Sequence, residues 1–448
     1  MKHTKELAVS IVEAAMKKGA TAAEVIIYES NEFSAGVRLG QVETLKDSAN
    51  QDLGLRVIWE GRQATVSTSD FTKDAIAQLV DDAVELARAT SVDDRLSLPE
   101  QSEFARDWPE LDLYDRESAN LSTDKKLALA LEAEEAARSF DQRIVNFDGS
   151  SFDSVSGGTI LANSLGFVGF YQGTHCSVST VPIAQEDGKM QRDYWFDTKR
   201  KVKDLENATS IGRKAAERTI RRLGAKKIKT QQVPVVFDPV TATSLLSNIF
   251  QAVSGDSIIR KSSFLLGKLE EVIASQNLTV VDDGRIPGAV GSRPFDGEGL
   301  PTRRNVVIEK GRFKTYLLNS YTARKLGMKS TGNAVRGISS APSVGSTNLY
   351  VEPGSFSPEE IIRSVKNGFY LTDLIGFGVN IVTGDYSRGA SGIWIENGEL
   401  TYPVEEVTIA GNLKDMLKAI EMVGSDLEFR ARSASPTIKI GSMTVSGE

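Results

Sequence analysis

From Glu24 to Ser67 the chain is a succession of short β-prone runs cut by Gly36, Gly40, Gly54 and Gly61. The segments 24–28, 33–39, 42–46, 52–59 and 63–67 each read as a strand, and their spacing suggests an antiparallel meander. Amphipathic helices flank it. The first is capped by Thr4, carries Leu7, Ile11, Ala14 and Ala15 on its apolar face and stops at Gly19. The second follows Asp70 or Thr72 as cap and carries Ile76, Leu79, Val80, Ala83, Leu86 and Ala87 at helical spacing, so it is expected to pack on the meander. The expected class is α+β, with an antiparallel sheet and packed helices in the N-terminal half.

Residues 91–120 are rich in acidic, Pro and Ser positions with weak periodicity, and read as an exposed connection between two subdomains. A helix is expected from Thr123, carrying Leu127, Leu131, Glu134 and Glu135, followed by strands over 144–147, 154–162 and 166–181. A further helix over 208–223 presents Ile211, Ala215, Ile220 and Leu223 and ends at Gly224. The main boundary is placed just after it, giving an N-terminal region 1–225 and a C-terminal domain 226–448.

The second half opens with a strand over 233–237. Asp238 and Pro239 then serve as cap and first-turn residue of a helix with Leu245, Leu246, Ile249 and Phe250. Short apolar runs at 278–281, 305–309, 313–318, 348–351, 368–374, 381–383 and 392–396 alternate with Gly, Asn and Asp turns. A β-rich, barrel-like closure is the expectation. No fixed-period repeat points to a solenoid or propeller.

Composition narrows the function. A net charge of -7, from 53 Lys and Arg against 60 Asp and Glu, gives no global attraction to phosphate backbones or anionic lipid, so nucleic acid is not the expected partner. No run approaches the roughly 20 apolar residues of a membrane helix. The amino terminus shows neither an apolar signal core nor a cleavage site. Cys176 is the sole cysteine, which rules out an intrachain disulfide and fits a reducing compartment. The cytoplasm is the expected location.

Conventional zinc peptidase chemistry needs three protein ligands and a Glu that activates the bound water. Only His3 and His175 are available as imidazoles, and His175 adjoins Cys176 in a strand, where neighbouring side chains point to opposite faces. A packing role is favoured for both over a catalytic pair. Asp282-Asp283-Gly284 and Asp296-Gly297-Glu298 could form an all-carboxylate Mg or Ca site but also look like ordinary turns. Gly389-Ala390-Ser391-Gly392 and Ile338-Ser339-Ser340 place serines beside small residues without the strand-turn-helix elbow of a serine hydrolase. Gly376-Phe377-Gly378 lacks the third glycine of a dinucleotide loop. The cluster Arg218, Arg221, Arg222, Lys226, Lys227 and Lys229 is read as a solvated helix terminus, with phosphate or partner binding as the alternative.

The stretch from Thr383-Gly384-Asp385-Tyr386-Ser387-Arg388-Gly389 through Ile393-Trp394-Ile395-Glu396-Asn397-Gly398 to Met416 closely resembles the TldD/PmbA family, specifically its PmbA (TldE) branch. Matches at 260–266, 294–299 and 320–332 extend the resemblance over nearly the whole chain. It implies a cytosolic peptidase system in which a TldD-type and a PmbA-type subunit associate as a heterodimer, degrade unfolded or extended peptides and trim peptide precursors. An older family name is modulator of DNA gyrase. TldD-type members are implied to hold zinc with a His-Glu-x-x-x-His helix and a C-terminal Cys.

At the corresponding positions this chain has Ser247, Asn248 and Ala252, and no Cys after Gly424. The resemblance therefore implies a non-catalytic subunit without a metal of its own, paired with a zinc-bearing TldD-type partner, or forming a homodimer when isolated. Asp385, Arg388 and Glu396 are candidate contacts for that partner or for a peptide, with a structural role in the turn and strand as the competing reading. Two other functions remain open: a self-standing hydrolase with an Asp/Glu-bound metal or a Ser/Lys site, and a regulatory protein acting on DNA gyrase or nucleic acid.

Overall fold

Of the four glycines that punctuate the meander, only two turn it. Gly40 and Gly61 have φ of 75° and 73°, follow Leu39 and Glu60 that are also left-handed, and make the tight turns whose twist matches paired strands. Gly36 and Gly54 instead lie inside strands. The five expected strands are therefore three: β1 (Ala22–Arg38), β2 (Gln41–Trp59) and β3 (Arg62–Thr68). The same happens further on, where Gly149, Gly157 and Gly158 fall within β4 (Ile144–Asn163), which pairs with β5 (Val168–Glu186). β6 (Lys189–Arg192) and β7 (Trp195–Lys199) complete one antiparallel sheet of order β3-β2-β1-β4-β5-β6, with β7 also on β5. A glycine inside a strand does not end it where the neighbouring strand continues to supply ladder partners.

The sheet curves into a half-barrel whose outer face carries the helices. α1 (Lys2–Lys17) and α2 (Lys73–Ala89) cover one end, against Val25, Ile27, Leu55, Val57 and Ile160. α3 (Arg116–Ala119) is a single turn, and α4 (Thr123–Arg138) and α5 (Ala208–Ile220) cover the other end, against Phe33, Ala35, Phe152, Cys176 and Val178. Val25, Ile27, Phe33 and Ala35 are an even number of residues apart, so both helix pairs sit on one face of β1. Burying a residue such as Leu55 contributes about 1.5–3 kcal/mol. Caps set where the helices begin: the side chains of Thr72, Ser122 and Asn207 accept from the first turns of α2, α4 and α5. Glu134, read as part of the helix pattern, is buried and accepts from the N–H groups of Leu39 and Gly40 at 3.0 and 2.6 Å, tying α4 to the β1–β2 turn.

The computed structural model describes residues 2–447; Met1 and Glu448 lie outside the described residues. In the second half, β8 (Gln231–Phe237) leads into α6 (Pro239–Val253) and α7 (Gly255–Ile259). A small sheet follows from β9 (Val280–Asp283), β10 (Arg304–Glu309) and β11 (Arg312–Phe313), with α8 (Ser320–Leu326), the pair β12 (Ala334–Val335) and β13 (Ser343–Val344), and β14 (Leu349–Val351). After α9 (Pro358–Arg363) come β15 (Asn367–Ile375), β16 (Asp385–Glu396), β17 (Glu399–Asn412), α10 (Leu413–Lys418), β18 (Ile420–Val423), β19 (Ser433–Ala434) and β20 (Ile438–Ser446). β20, β8, β15, β16 and β17 pair in that order, and β17 pairs back to β20, closing a five-stranded barrel. α6 packs against β8 and β15 of the barrel and against β14 and β19 of the smaller sheet.

Four expectations need correction here. Thr4 does not cap α1 but lies in its first turn, where its Oγ1 donates to Glu29 Oε1 of β1 at 3.1 Å. The run 313–318 is strand only at its start, because beyond Phe313 the backbone serves the loop that meets α6 through Leu317. The run 381–383 is a turn in which Asn380 Oδ1 accepts from the N–H groups of Val382 and Thr383. Residues 91–113 are not a free connection. Phe104, Leu111 and Leu113 are buried, Ala105 N–H donates to Gly299 O at 2.9 Å, Asp93 pairs with Lys325, and Arg324 donates to the carbonyls of Arg95 and Ser97. This segment straps the two halves together, and it joins two parts of one sheet rather than two sheets. No described helix is long and apolar enough to cross a membrane.

The inner face of the sheet, at the α1 end, carries Ile26 and Leu161, which pack with Phe167 against Phe295 and Leu300 of the second half. Gly54 lies there too: a Cβ on it would run into the carbonyl oxygen of Ile338. Gly54→Ala is expected to cost about 1–3 kcal/mol, the usual penalty for overpacking a filled interior. Urea denaturation measures it, and an unchanged midpoint would contradict the close approach of the two halves at this strand.

Candidate functional site

The end of β8 and the start of α6 form the best-built polar site of the molecule. Asp238 caps α6, accepting from Thr241 N–H at 2.7 Å and Thr241 Oγ1 at 2.8 Å. Its other oxygen takes Nη1 of Arg218 at 3.0 Å. Arg218 comes from α5 and is 4% exposed; it also meets Asp193 at 3.3 Å and donates to Thr372 O at 3.1 Å. Its guanidinium sits over the Trp195 ring, 5.2 Å from the centroid. Burial works against the charged guanidinium, but Asp238 and Asp193 outweigh it and hold the pKa above the ordinary arginine range. Arg222, one turn on, bonds Asp373 of β15 at 3.1 Å.

The reading of this basic cluster as a solvated helix terminus is therefore wrong for Arg218, Arg221 and Arg222. Arg218 and Arg222 are drawn into the boundary between the halves because Asp238 at the α6 cap, Asp373 of β15 and Asp193 after β6 converge on it, while Arg221 is enclosed beside them with Nε and Nη2 unpartnered. A signal existed in the sequence: Arg218 lies seven residues after Ile211 and three after Ala215, on the stripe that α5 buries.

Beside the capped end of α6 opens a cavity of about 430 Å³, lined by Trp195 and Phe196 of β7, Pro239, Val240 and Thr243 of α6, and the segment 426–435. That segment is pinned across the cleft. Lys199 Nζ donates to Phe429 O at 2.6 Å, and Arg430 stacks on Trp195 at 4.4 Å while pairing with Glu206. Asp426 accepts from Thr437 N–H and Oγ1 at 2.9 and 2.7 Å. Nothing in the local sequence pairs Trp195 with Arg430, since they are 235 positions apart (430 minus 195).

Ser247 is exposed one turn beyond Thr243, and its Oγ donates back to Thr243 O at 3.3 Å. Asn248 is 7% exposed, with Nδ2 left without a partner. Ala252 is fully enclosed in the main core. A hydroxyl, a carboxamide and a methyl do not make a transition-metal ligand set, and segment 426–435 offers serine hydroxyls but no thiolate. The residues on α6 do not fit the zinc that the resemblance associates with this helix. Among the described residues there is no group of three or more His, Cys, Asp or Glu side chains that could hold an ion.

The remaining candidates scatter. Asp385 opens β16, where it accepts from Thr383 Oγ1 at 2.6 Å and Asn412 Nδ2 at 3.2 Å, and these bonds hold its carboxyl below the ordinary range. Arg388 is half-buried beside the enclosed Tyr386. Glu396 ends the same strand, exposed, roughly 36 Å from Asp385 at about 3.3 Å per residue, so the two cannot share one small ligand. His175 and Cys176 do lie on opposite faces of β5. Burial, then Arg200, lowers the His175 pKa, and burial pushes the Cys176 thiol up to about 12. Ser391 is buried in β16, and Ser340 Oγ accepts from Gly337 N–H in a loop. Asp282 belongs to β9 rather than a turn, and its carboxylate is filled by Asn333 and Thr347. Gly376-Phe377-Gly378 forms a bend with Phe377 fully exposed.

Sequence models of the PmbA/TldA metallopeptidase family match as domain 1 over residues 23–87, the central domain over 116–223 and the C-terminal domain over 230–447. Metalloprotease PmbA of Escherichia coli O157:H7 is 38% identical over 426 residues, 95% of this chain and 92% of the relative. A metalloprotease TldD homolog of Buchnera aphidicola is 28% identical over 323 residues, 68% of this chain and 66% of the relative. A crystal structure from Bacteroides thetaiotaomicron, of a protein named for modulation of DNA gyrase, superposes with a TM-score of 0.93 at 31% identity and covers 100% of both chains.

Arg218→Ala leaves Asp193 and Asp238 buried without their cation, and is expected to cost about 3–5 kcal/mol. Chemical denaturation reads the loss. A cost below about 1 kcal/mol, the scale of an exposed pair, would mean that Arg218 does not hold α6 in place.

Proposed function

The chain belongs to the PmbA/TldD family of metallopeptidases, and from that premise we propose that it is a PmbA-type subunit, the partner without metal ligands in a cytoplasmic zinc peptidase. Its companion is a TldD-type subunit, and the pair acts on unfolded or extended peptides and trims peptide precursors. The observation that carries this reading is the donor set on α6: Ser247, Asn248 and Ala252, beside a C-terminal segment with no cysteine. Zinc bound by the partner would supply a Lewis acid and an activated water.

The contribution of this chain is then steric and positional. A wall that closes the partner's site admits an extended strand and excludes folded protein. Asp385 and Arg388, three residues apart at the start of β16, are the retained candidates for contact with partner or peptide. Glu396, at the far end, would serve a separate contact. A homodimer is the alternative assembly for the chain in isolation.

Coexpression tests the reading. The purified chain alone is expected to show no peptidase activity, and the chain copurified with a TldD-type partner to cleave an unfolded polypeptide in a chelator-sensitive way. Strong chelator-sensitive turnover by this chain alone would overturn the assignment.

A further inference from the structure

The inner face of the N-terminal sheet meets the second half through a layer of fully buried charge. Glu24 of β1 is 1% exposed and lies 2.7 Å from Arg56 of β2 and 2.8 Å from Arg336, which follows β12. Glu24 Oε2 and the guanidinium nitrogens of Arg336 make no well-directed hydrogen bond. Two more buried carboxylates, Asp296 and Glu298, complete the cluster. Glu24 and Glu298 face Arg56 and Arg336, while Asp296 shares Arg293 with the buried Asp282. Arg324 of α8 is committed to the strap, donating to the carbonyls of Arg95 and Ser97 at 3.0 and 2.9 Å.

The acids are unequally served. Asp296 accepts from three backbone N–H groups, those of Glu298, Leu300 and Ala334. Glu24 has its two guanidiniums. Glu298 accepts from one backbone N–H, that of Ser320 at 2.8 Å. A buried anion with so few donors is the costliest member of the cluster to keep ionised.

We propose that Glu298 is a proton-held lock between the two halves: protonated, it leaves the buried layer balanced and Arg324 free to hold the strap 93–105; ionised, it competes for Arg324 and loosens the strap. The groups facing Glu298 are Asp296 from its own turn, Ser320 N–H and Arg324 from α8, Glu24 from β1 with Arg56 behind it on β2, and Arg336. Burial first, then Asp296, pushes its carboxyl up to about 7. Because the folded pKa lies above the unfolded one, the stabilisation is complete below the ordinary glutamate range and is lost as pH rises through about 7. One proton of linkage changes the folding equilibrium constant by up to about tenfold per pH unit in that window. The proposal does not depend on the subunit role assigned above.

The test uses the full-length protein between about pH 5 and 8. Relative to Glu298→Gln, the wild-type urea midpoint is expected to fall as pH rises, and amide protection of residues 93–105, corrected for intrinsic exchange, to fall with it. Identical pH profiles for the two proteins, or strap protection independent of pH, would overturn the lock. Should Glu298→Gln fail to fold, Asp296→Asn serves instead: it removes the adjacent negative charge and is expected to move the wild-type transition to lower pH. An unmoved transition in that variant would also overturn it.

Discussion

One guanidinium joins the first half of the molecule to the helix on which the second is organised. Arg218 leaves α5, passes under Trp195 and ends on Asp238, the residue that caps α6. An N-cap carboxylate already accepts from the free N–H groups of its helix, so a buried cation on its second oxygen sets the helix start in three dimensions. The cleft then follows from the position of α6. Trp195 forms one wall, and Arg430 stacks on the same ring from the C-terminal segment, so one indole takes an arginine from α5 and another from far along the chain.

The two buried charge sites differ in how well each charge is compensated. At Arg218 a single cation has two carboxylates and a carbonyl, and the half-buried Arg222 takes up the remaining Asp373. At Glu298 the nearby guanidiniums are shared with Glu24, and the carboxylate accepts from a single backbone N–H. Low dielectric strengthens a site whose charges are paired and penalises a buried carboxylate with few donors. Two contacts between the same halves therefore respond differently to pH, one rigid and one protonation-dependent.

For function, the fold and the side chains of α6 point in different directions. The architecture is that of a metallopeptidase family, with three domain matches along the chain. On α6, however, the chain presents a hydroxyl turned to its own backbone, an amide in the interior and a methyl in the core. A fold does not carry its chemistry with it where the donor atoms are gone. The helix, the adjacent cleft and the pinned segment are the features on which the proposed subunit role rests.

Local sequence determined the helix start at Asp238, the neighbourhood of the starts after Thr72 and at Thr123, the class of the fold and the absence of imidazole and thiolate on α6, because each depends on residue type and short-range spacing alone. It also showed Gly36 and Gly54 without showing that strands run through them, since cross-strand partners decide whether a strand continues: Thr44 and Ser151 for Gly36, Ile26 and Ser67 for Gly54. The long strands β17 and β20 went unread for a related reason: their pairing with each other, which closes the barrel, is a contact between distant segments. Tertiary structure alone decided that Arg218 meets Asp193 and Asp238, that residues 91–113 strap the halves together, and that Glu298 lies in a dry layer of charge. Burial and electrostatic pairing belong to the assembled surfaces, and no window of sequence contains both sides of such a contact.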